Sequence, residues 1–550
     1  AVLEDRFRLA GREDSRIQQN FAQGKRTLVC ISVPFAGTFT PALFTGRFLK
    51  ERYGNKVFIS FGGGFVNTEL REFNAVEFNR YADALSLDRG YGSYRRLLQS
   101  GILDFTKKKS SGLYKMWLWL ADSTISPVES DTEMASFENA VTRTLVPDFS
   151  DIDFSLYPRM ADDTNPMQRL WSDGSWIKAY LAHGCYWHKC AFCDVTLDYV
   201  CSYRMTDVEH LYSGLLQQAR NKGVYGIHFV DEALPPSGTV RFAKCNQLDS
   251  NPLSYWGNIR FEKVYSRDMA DFLCSSGLVG VSGGIEIATG GGLDKISKGT
   301  DLDSIVSACC AFKEAGVLIH AYMIYGYFGE TEQDTINSME TLRQFFELGL
   351  LDSCFWHKFV LTRHSRIYDE WKCGLHPDLH PFEEEKAGLF AKNGLHFKGE
   401  NALAKFGAGL NLALQSWMHG EKIGMNVCKW FKFKTPEPTV SHKLVQRAVE
   451  KYESRRDEEW KTPLNIKKCI YLPSMPLVQR NELEWYYMQE SYKATLPTSC
   501  NSKRVEAFIS ALEKMSGKVQ NTSPMEDFIA SNPQFLPLLQ SMRGKGLVQV

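Results

Sequence analysis

Short apolar runs alternate along the chain with longer amphipathic stretches, as in proteins whose strands alternate with helices. Residues 1–25 are polar and charged and predict a helix. Thr27–Val33 is apolar and short enough for a buried parallel strand. Pro34–Pro41 turns into a helix through Lys50, and Lys56–Phe61 predicts a second strand ending in Gly62, Gly63 and Gly64. Strand, loop, helix, strand and glycine-rich loop make half of a doubly wound α/β domain. Such sheets take ligands at the carboxyl ends of their strands, here the Phe35–Thr40 and Gly62–Glu69 loops. Met116–Ala121 is a further buried strand or helical turn. Residues 122–180, punctuated by Pro147, Pro158 and Pro166, lack periodicity and read as a linker.

Alternation resumes at Lys178. Strands are expected at Ala179–Ala182, Gly226–Val230, Ser254–Phe261, Val279–Ile287, Val317–Tyr325 and Phe355–Leu361. Helices are expected at Val208–Lys222, Asp301–Ala315 and Thr331–Leu348. From about residue 380 helical patterns dominate (Ala402–Gly420, His442–Lys461), and Leu538–Val550 resembles the final helix and wing of a winged-helix unit.

Composition narrows the class. At 550 residues the chain is too long for one core, so several domains are expected. Lys plus Arg and Asp plus Glu are both 64, so bulk charge gives no support for nucleic-acid binding. No apolar run is long enough for a membrane span, and no signal peptide is visible. The 14 cysteines are scattered, with Cys30, Cys274, Cys309 and Cys310 in apolar contexts. That pattern suits a reducing cytoplasm better than a secreted disulfide framework.

One cysteine group stands apart. His183-Gly184-Cys185-Tyr186-Trp187-His188-Lys189-Cys190-Ala191-Phe192-Cys193-Asp194 brings three thiols together just after a predicted strand. Thiolates are the ligands of iron–sulfur clusters. Three ligands on a cubane leave one iron open to a chelating substrate. A zinc site completed by His183 or His188, or simple buried thiols, are the alternatives the loop alone leaves open.

The Gly184-Cys185-Tyr186-Trp187…Cys190-Ala191-Phe192-Cys193 loop resembles that of radical S-adenosylmethionine (SAM) proteins carrying a cobalamin-binding domain, with one residue more than the usual first spacing. Further segments are similar in the family's order over roughly residues 27–370. Phe229–Pro236 is similar to the second-strand segment, which implies that Asp231 and Glu232 meet the SAM amino group. Trp256–Glu262, with Arg260, is similar to the third strand. Ser282–Gly299, with Gly283, Gly284 and Glu286, matches the fourth. Tyr322–Thr331, with Tyr322, Gly326 and the Gly329-Glu330-Thr331 turn, matches the fifth, near adenine. Each of these side chains also has a plain role open to it, as a cap, an ion-pair partner or a turn.

In the N-terminal part, Phe61–Arg71 looks like the glycine-rich loop of the cobalamin domains. The resemblance implies corrin contacts from Gly62, Gly63, Gly64, Val66, Thr68 and Glu69, and from Ser32, Phe35 and Thr38 on the preceding loop. The family's Asp-x-His-x-x-Gly motif, source of a lower cobalt ligand, does not occur. Its place lies upstream of Thr27, so either the domain is incomplete at its N-terminus or the cobalt lacks a protein histidine.

The resemblance therefore implies an α/β chain with a Rossmann-like cobalamin-binding domain (1–125), a linker (126–177), a partial (β/α)6 radical SAM barrel (178–385) and a mostly helical C-terminal domain (386–550). The cofactors implied are a 4Fe-4S cluster on Cys185, Cys190 and Cys193, SAM and cobalamin. The activity implied is methyl transfer to an unactivated carbon through a 5′-deoxyadenosyl radical and methylcobalamin. The partners are a small-molecule or peptide substrate and an external electron donor such as flavodoxin or ferredoxin. Trp356, His357, Lys358, Thr362 and His364 are substrate-pocket candidates, and Tyr91, Tyr94 and Trp171–Trp176 are candidates for closing the pocket. Two rivals stand beside this reading: a cobalamin-dependent radical cyclase or oxidase without methyl transfer, and a non-catalytic cobalamin or cluster sensor.

Overall fold

The computed structural model describes residues 11–104, 112–119, 123–156, 175–382, 393–498 and 500–550. Pro158, Pro166 and Trp171 lie outside them. The chain divides into two compact units. One comprises Ala1–Thr144, Phe192–Arg204 and Val360–Lys398. The other comprises Leu145–Ala191, Met205–Phe359 and Gly399–Val550.

The first unit is built on five strands in sequence order, β1 (Thr27–Ser32), β2 (Val57–Gly62), β3 (Ala84–Ser86), β4 (Met116–Trp119) and β5 (Thr124–Ile125). The first three run parallel and the last two antiparallel. Val57–Phe61 are all buried, which is why β2 reads as an apolar run interrupted only by Ser60. Cys30 is exposed, because β1 is an edge strand with alternate positions outward. Helix Ala36–Tyr53 follows β1, and the short helix Gly64–Glu69 follows β2.

The stretch read as a linker contains a helix, Thr132–Thr144. Its buried positions are Met134, Glu138 and Thr142, spaced as one helical face. Two of the three are polar, so the face carries no hydrophobic signal. Glu138 accepts the Gly92 N–H at 3.0 Å and the Tyr114 hydroxyl at 3.2 Å.

The second unit contains a six-stranded sheet of β6 (Trp176–Ala179), β7 (Gly226–Phe229), β8 (Ser254–Ile259), β9 (Leu278–Glu286), β10 (Leu318–Tyr325) and β11 (Ser353–Lys358). Spatial order follows chain order and every pairing is parallel. Parallel neighbours need crossovers, supplied by helices Val208–Lys222, Pro236–Leu248, Arg267–Ser275, Leu302–Glu314 and Glu332–Glu347. The helix-facing positions (Ile177, Ile227, Phe229, Tyr255, Val281, Ile319, Met323, Trp356) form the main core. The opposite face carries Lys178, His228, Trp256, Asn258, Ser282, His320, Tyr322, Phe355 and His357 by strand alternation.

Beyond residue 400 the helices Gly407–Met418 and Leu444–Lys461 join this core. A small module follows, with three helices around Phe508 and Phe535 and a meander of Leu477–Gln479, Glu482–Tyr487 and Glu490–Thr495. The final strand, Leu547–Gln549, pairs antiparallel with Cys469–Tyr471. Among the described residues no helix is long and apolar enough to cross a membrane.

Candidate functional site

The cysteine loop leaves the sheet just beyond β6, and a buried carboxylate fixes its departure. Asp231 follows β7 and is 2% exposed. It accepts the N–H groups of Leu181 and Ala182 at distances from 2.8 to 3.1 Å. Burial raises its pKa to about 7, with the same N–H groups pulling the other way. The Asp231 oxygens are therefore spent on backbone, while Glu232, expected beside it at the SAM amino group, is exposed.

Inside the loop, Gly184 and His188 take positive φ, and Ala191 N–H donates to the Ile296 carbonyl at 2.8 Å. Trp187 donates to the Ser297 carbonyl at 3.1 Å. Cys190 is buried and Cys185 half-buried. A guanidinium nitrogen of Arg260 lies 3.9 Å from the Cys190 sulfur, and Lys298, raised in pKa chiefly by Glu286, also faces that thiol. Positive charge beside a thiol favours the thiolate, the form that ligates iron.

Arg260 is itself held on all sides. It donates to Glu262 at 2.7 Å and to the Lys298 carbonyl at 2.6 Å, and its guanidinium stands 4.7 Å from the Trp187 ring centroid. Among the described residues no three His, Cys, Asp or Glu side chains gather as ligands of a single ion. A cubane takes each thiolate on a different iron, so the donor set asked of this loop is three separate thiols.

Cys193 belongs to the other unit, where Arg366 N–H donates to its carbonyl at 3.1 Å. Asp194 accepts from Thr362 and, at 3.1 Å, from Asn393.

The strand ends carry the remaining SAM-side candidates. Glu286 closes β9 in a left-handed conformation (φ 65°) at a break in the β9–β10 register. It is 7% exposed and pairs with Lys298 at 2.8 Å. Gly284 makes room for that pair, since a Cβ there would fall on the Glu286 carboxylate and 2.8 Å from the Lys298 nitrogen. Gly283 packs under Phe261, where a Cβ would come within 2.8 Å of the ring. Asn258 donates to the Asp231 carbonyl at 3.3 Å and accepts from Ser282, joining three strand ends. Tyr322 lies beside Ser282 and Glu286, its pKa raised mainly by burial. Gly326 takes φ 79° after β10. Glu330 then accepts the Tyr327 N–H and the Thr335 hydroxyl, and Thr331 caps the next helix with Asp334. That explains the Gly-Glu-Thr pattern locally.

Comparison with solved structures fits this geometry. The radical SAM methyltransferase TsrM from Kitasatospora setae, with tryptophan and a SAM analogue bound, superposes at a TM-score of 0.50 and 15% identity over 74% of this chain and 81% of that one. TsrM with cobalamin and a [4Fe-4S] cluster bound matches at 0.50 and 14% identity, over 82% and 92%. The cobalamin-dependent SAM radical enzyme OxsB with aqua-cobalamin matches at 0.51 and 11% identity, over 97% and 74%. No protein-family model and no curated protein sequence matches. The fold is that of the cobalamin-dependent radical SAM enzymes.

In that fold the first unit is the Rossmann-like part. Gly63 (φ 104°) and Gly64 let the second loop lie against the first. A Cβ on Gly63 would stand 2.9 Å from the Val33 carbonyl, and one on Gly64 2.9 Å from the Pro34 carbonyl. Gly62 has room for a Cβ. Ser32, Phe35 and Thr38 are exposed at the β1 end, Phe35 by 73%, and Thr38 caps its helix through the Phe35 carbonyl. Val66 is fully buried in the core. The Thr68 hydroxyl bonds back to Gly64 at 3.2 Å, and Glu69 accepts the Asn393 N–H.

The substrate candidates separate. Trp356 points to the helices, 3% exposed and 6.3 Å from the Tyr325 ring. His357 lies on the inner face beside Phe355 and Tyr322, at 4.6 and 6.0 Å between ring centroids. Lys358 donates to Asn401 at 2.6 Å. His364 is in the first unit, buried beside the Thr68 backbone, Asp194 and Glu72, its pKa lowered by burial. Tyr94 donates to Ser60 at 3.0 Å and packs, half-buried, against the core of the first unit. Trp176 packs over Gly226.

Proposed function

We propose that this chain is a cobalamin-dependent radical SAM enzyme that transfers a methyl group to an unactivated carbon. The observation that carries the proposal is the buried placement of Cys190 beside Arg260 and Lys298, on a loop anchored by Asp231 at the carboxyl end of β6. The thiols of Cys185, Cys190 and Cys193 would hold the cluster, and the β1 and β2 loops would receive the corrin. When bound, the cluster supplies the electron that cleaves SAM and the corrin supplies the methyl group.

The chain's own residues set the surroundings. Asp231 fixes the peptide from which the loop departs, and Arg260 and Lys298 offset the thiolate charge. Trp187 lays its ring against the Arg260 guanidinium that lies beside Cys190. The Glu286–Lys298 pair fixes the end of β9, leaving Tyr322 and His357 on the inner face toward a substrate. Methyl transfer finds support in the TsrM neighbour, itself a methyltransferase.

Anaerobically reduced holoenzyme given methyl-deuterated SAM tests the proposal. Formation of both S-adenosylhomocysteine and 5′-deoxyadenosine is expected, with the deuterated methyl on the protein-bound corrin. 5′-Deoxyadenosine alone contradicts methyl transfer, and neither product contradicts the radical SAM reading.

A further inference from the structure

The inner face of the six-stranded sheet carries one feature that neither cofactor explains. Lys178 on β6, His228 on β7 and Trp256 on β8 stand at paired positions on adjacent strands, so their side chains share that face. The Lys178 amine donates to Nδ1 of His228. The His228 ring lies flat on the Trp256 indole, centroids 3.7 Å apart and planes 8° from parallel. Further along are His320, Tyr322, Phe355 and His357, with Phe355 49% exposed on the edge strand β11. One side of this sheet is a packed apolar core; the other is open, aromatic and polar.

The electrostatics of that face are lopsided. On β6, β7 and β8 the positions of that face include no carboxylate and one ammonium, Lys178; the Glu286 carboxylate, at the end of β9, is paired with Lys298. Among the described residues no acidic side chain pairs with Lys178, whose contact is the imidazole. Lys178 stays accessible to solvent, yet enough protein surrounds the amine to push its pKa below the ordinary lysine value. Burial and the neighbouring amine hold His228 down to about 3, so at neutral pH it is an uncharged acceptor, and its stacking on Trp256 fixes the ring. An ammonium has three donors; His228 takes one and leaves the others facing the open side. A partly enclosed ammonium with no carboxylate partner gains a charge-assisted hydrogen bond when an anion arrives to pair with it.

We propose that Lys178, positioned by His228 on Trp256, anchors an anionic head group of the substrate, whose flat unsaturated body lies along the aromatic inner face. This rests on the enzyme reading above and names the substrate class of that site. A point charge such as lysine binds carboxylate or phosphate alike, so the head group is left to the test.

The test is equilibrium binding to the purified, reconstituted full chain. The probes are 2-naphthoate, 2-naphthyl phosphate and neutral 2-naphthamide, followed by quenching of tryptophan fluorescence. At least one anion is expected to bind about tenfold more tightly than the amide, equivalent to about 1.4 kcal/mol; the tighter one identifies the head group. Lys178→Met should erase that preference and Lys178→Arg should keep most of it. Equal affinity for anions and amide, a preference that survives Lys178→Met, or no binding of any probe at millimolar concentration overturns the proposal. Iron content and SAM cleavage of the same wild-type preparation report separately on the enzyme reading. Selective anion binding by protein that neither holds iron nor cleaves SAM leaves the anchor standing and removes the radical mechanism.

Discussion

Replacing Glu286 by glutamine removes one charge from a buried ion pair and leaves the other behind. The Glu286–Lys298 contact is 2.8 Å, with side chains 10% and 7% exposed, so water has little access to either group. Lys298 stays protonated there because Glu286 offsets the burial that works against its charge. Removing one partner of such a pair costs about 3–5 kcal/mol, while replacing both by neutral residues of similar volume costs far less. Glu286→Gln keeps one oxygen for the Lys298 N–H, so the lower end, about 3 kcal/mol, is expected. The Glu286→Gln/Lys298→Met double variant should recover at least about half of that loss, giving a coupling of about 1.5 kcal/mol or more. Urea unfolding at pH 7.5, followed by tryptophan fluorescence, reads all four corners of the cycle. A Glu286→Gln variant within about 0.5 kcal/mol of wild type, or a double variant less stable than either single one, would refute the buried pair as a unit.

Asp231→Ala takes the acceptors from two backbone N–H groups. Amide hydrogen exchange at Leu181 and Ala182 should speed up at least about tenfold, with unchanged rates there as the contrary result. Arg260→Met removes the guanidinium beside Cys190 while keeping much of the stem. Iron retained after anaerobic desalting should fall several-fold, and retention equal to wild type would deny Arg260 a part in holding the site. His320, 8% exposed, has its pKa lowered to about 4 by burial. The unfolded chain binds its proton first, so the contribution is fully present above about pH 6.5 and is lost as pH falls toward 4, by about 3 kcal/mol. Urea midpoints at pH 7, 6 and 5 should show a shallower decline for His320→Gln than for wild type; parallel declines would contradict the shift.

The barrel was legible because its strands are buried on the helix side and bounded by glycines and carboxylates, and its longest helices are amphipathic. Val208–Lys222 has apolar residues at helical spacing, and the structure ends it where the sequence does, at Gly223 (φ 65°). The helix Thr132–Thr144 escaped notice because Glu138 and Thr142 are its inward residues. In the site, the cysteine loop declared itself by spacing, whereas the work of its neighbours did not. Asp231 stands where a carboxylate facing SAM was expected, yet hydrogen bonds across the chain claim it for Leu181 and Ala182. Trp356 and His357 are adjacent in sequence and point to opposite faces, which strand parity settles only once the sheet is oriented. Lys178 and His228 lie 50 residues apart, and the β6–β7 register that joins them is tertiary information. Alternation in Trp176–Ala179 and Gly226–Phe229 was the available signal, and it was too short to fix the facing partners.

One chain is expected to hold both a cluster and a corrin. Iron, sulfide and cobalt per chain, measured together with the visible spectrum after anaerobic reconstitution of wild type and Cys190→Ser, test it most directly. About four irons and one cobalt per chain are expected in the wild type, with iron lost and the corrin retained in the variant. Zinc in place of iron, or a cluster formed without retained corrin, would contradict the account.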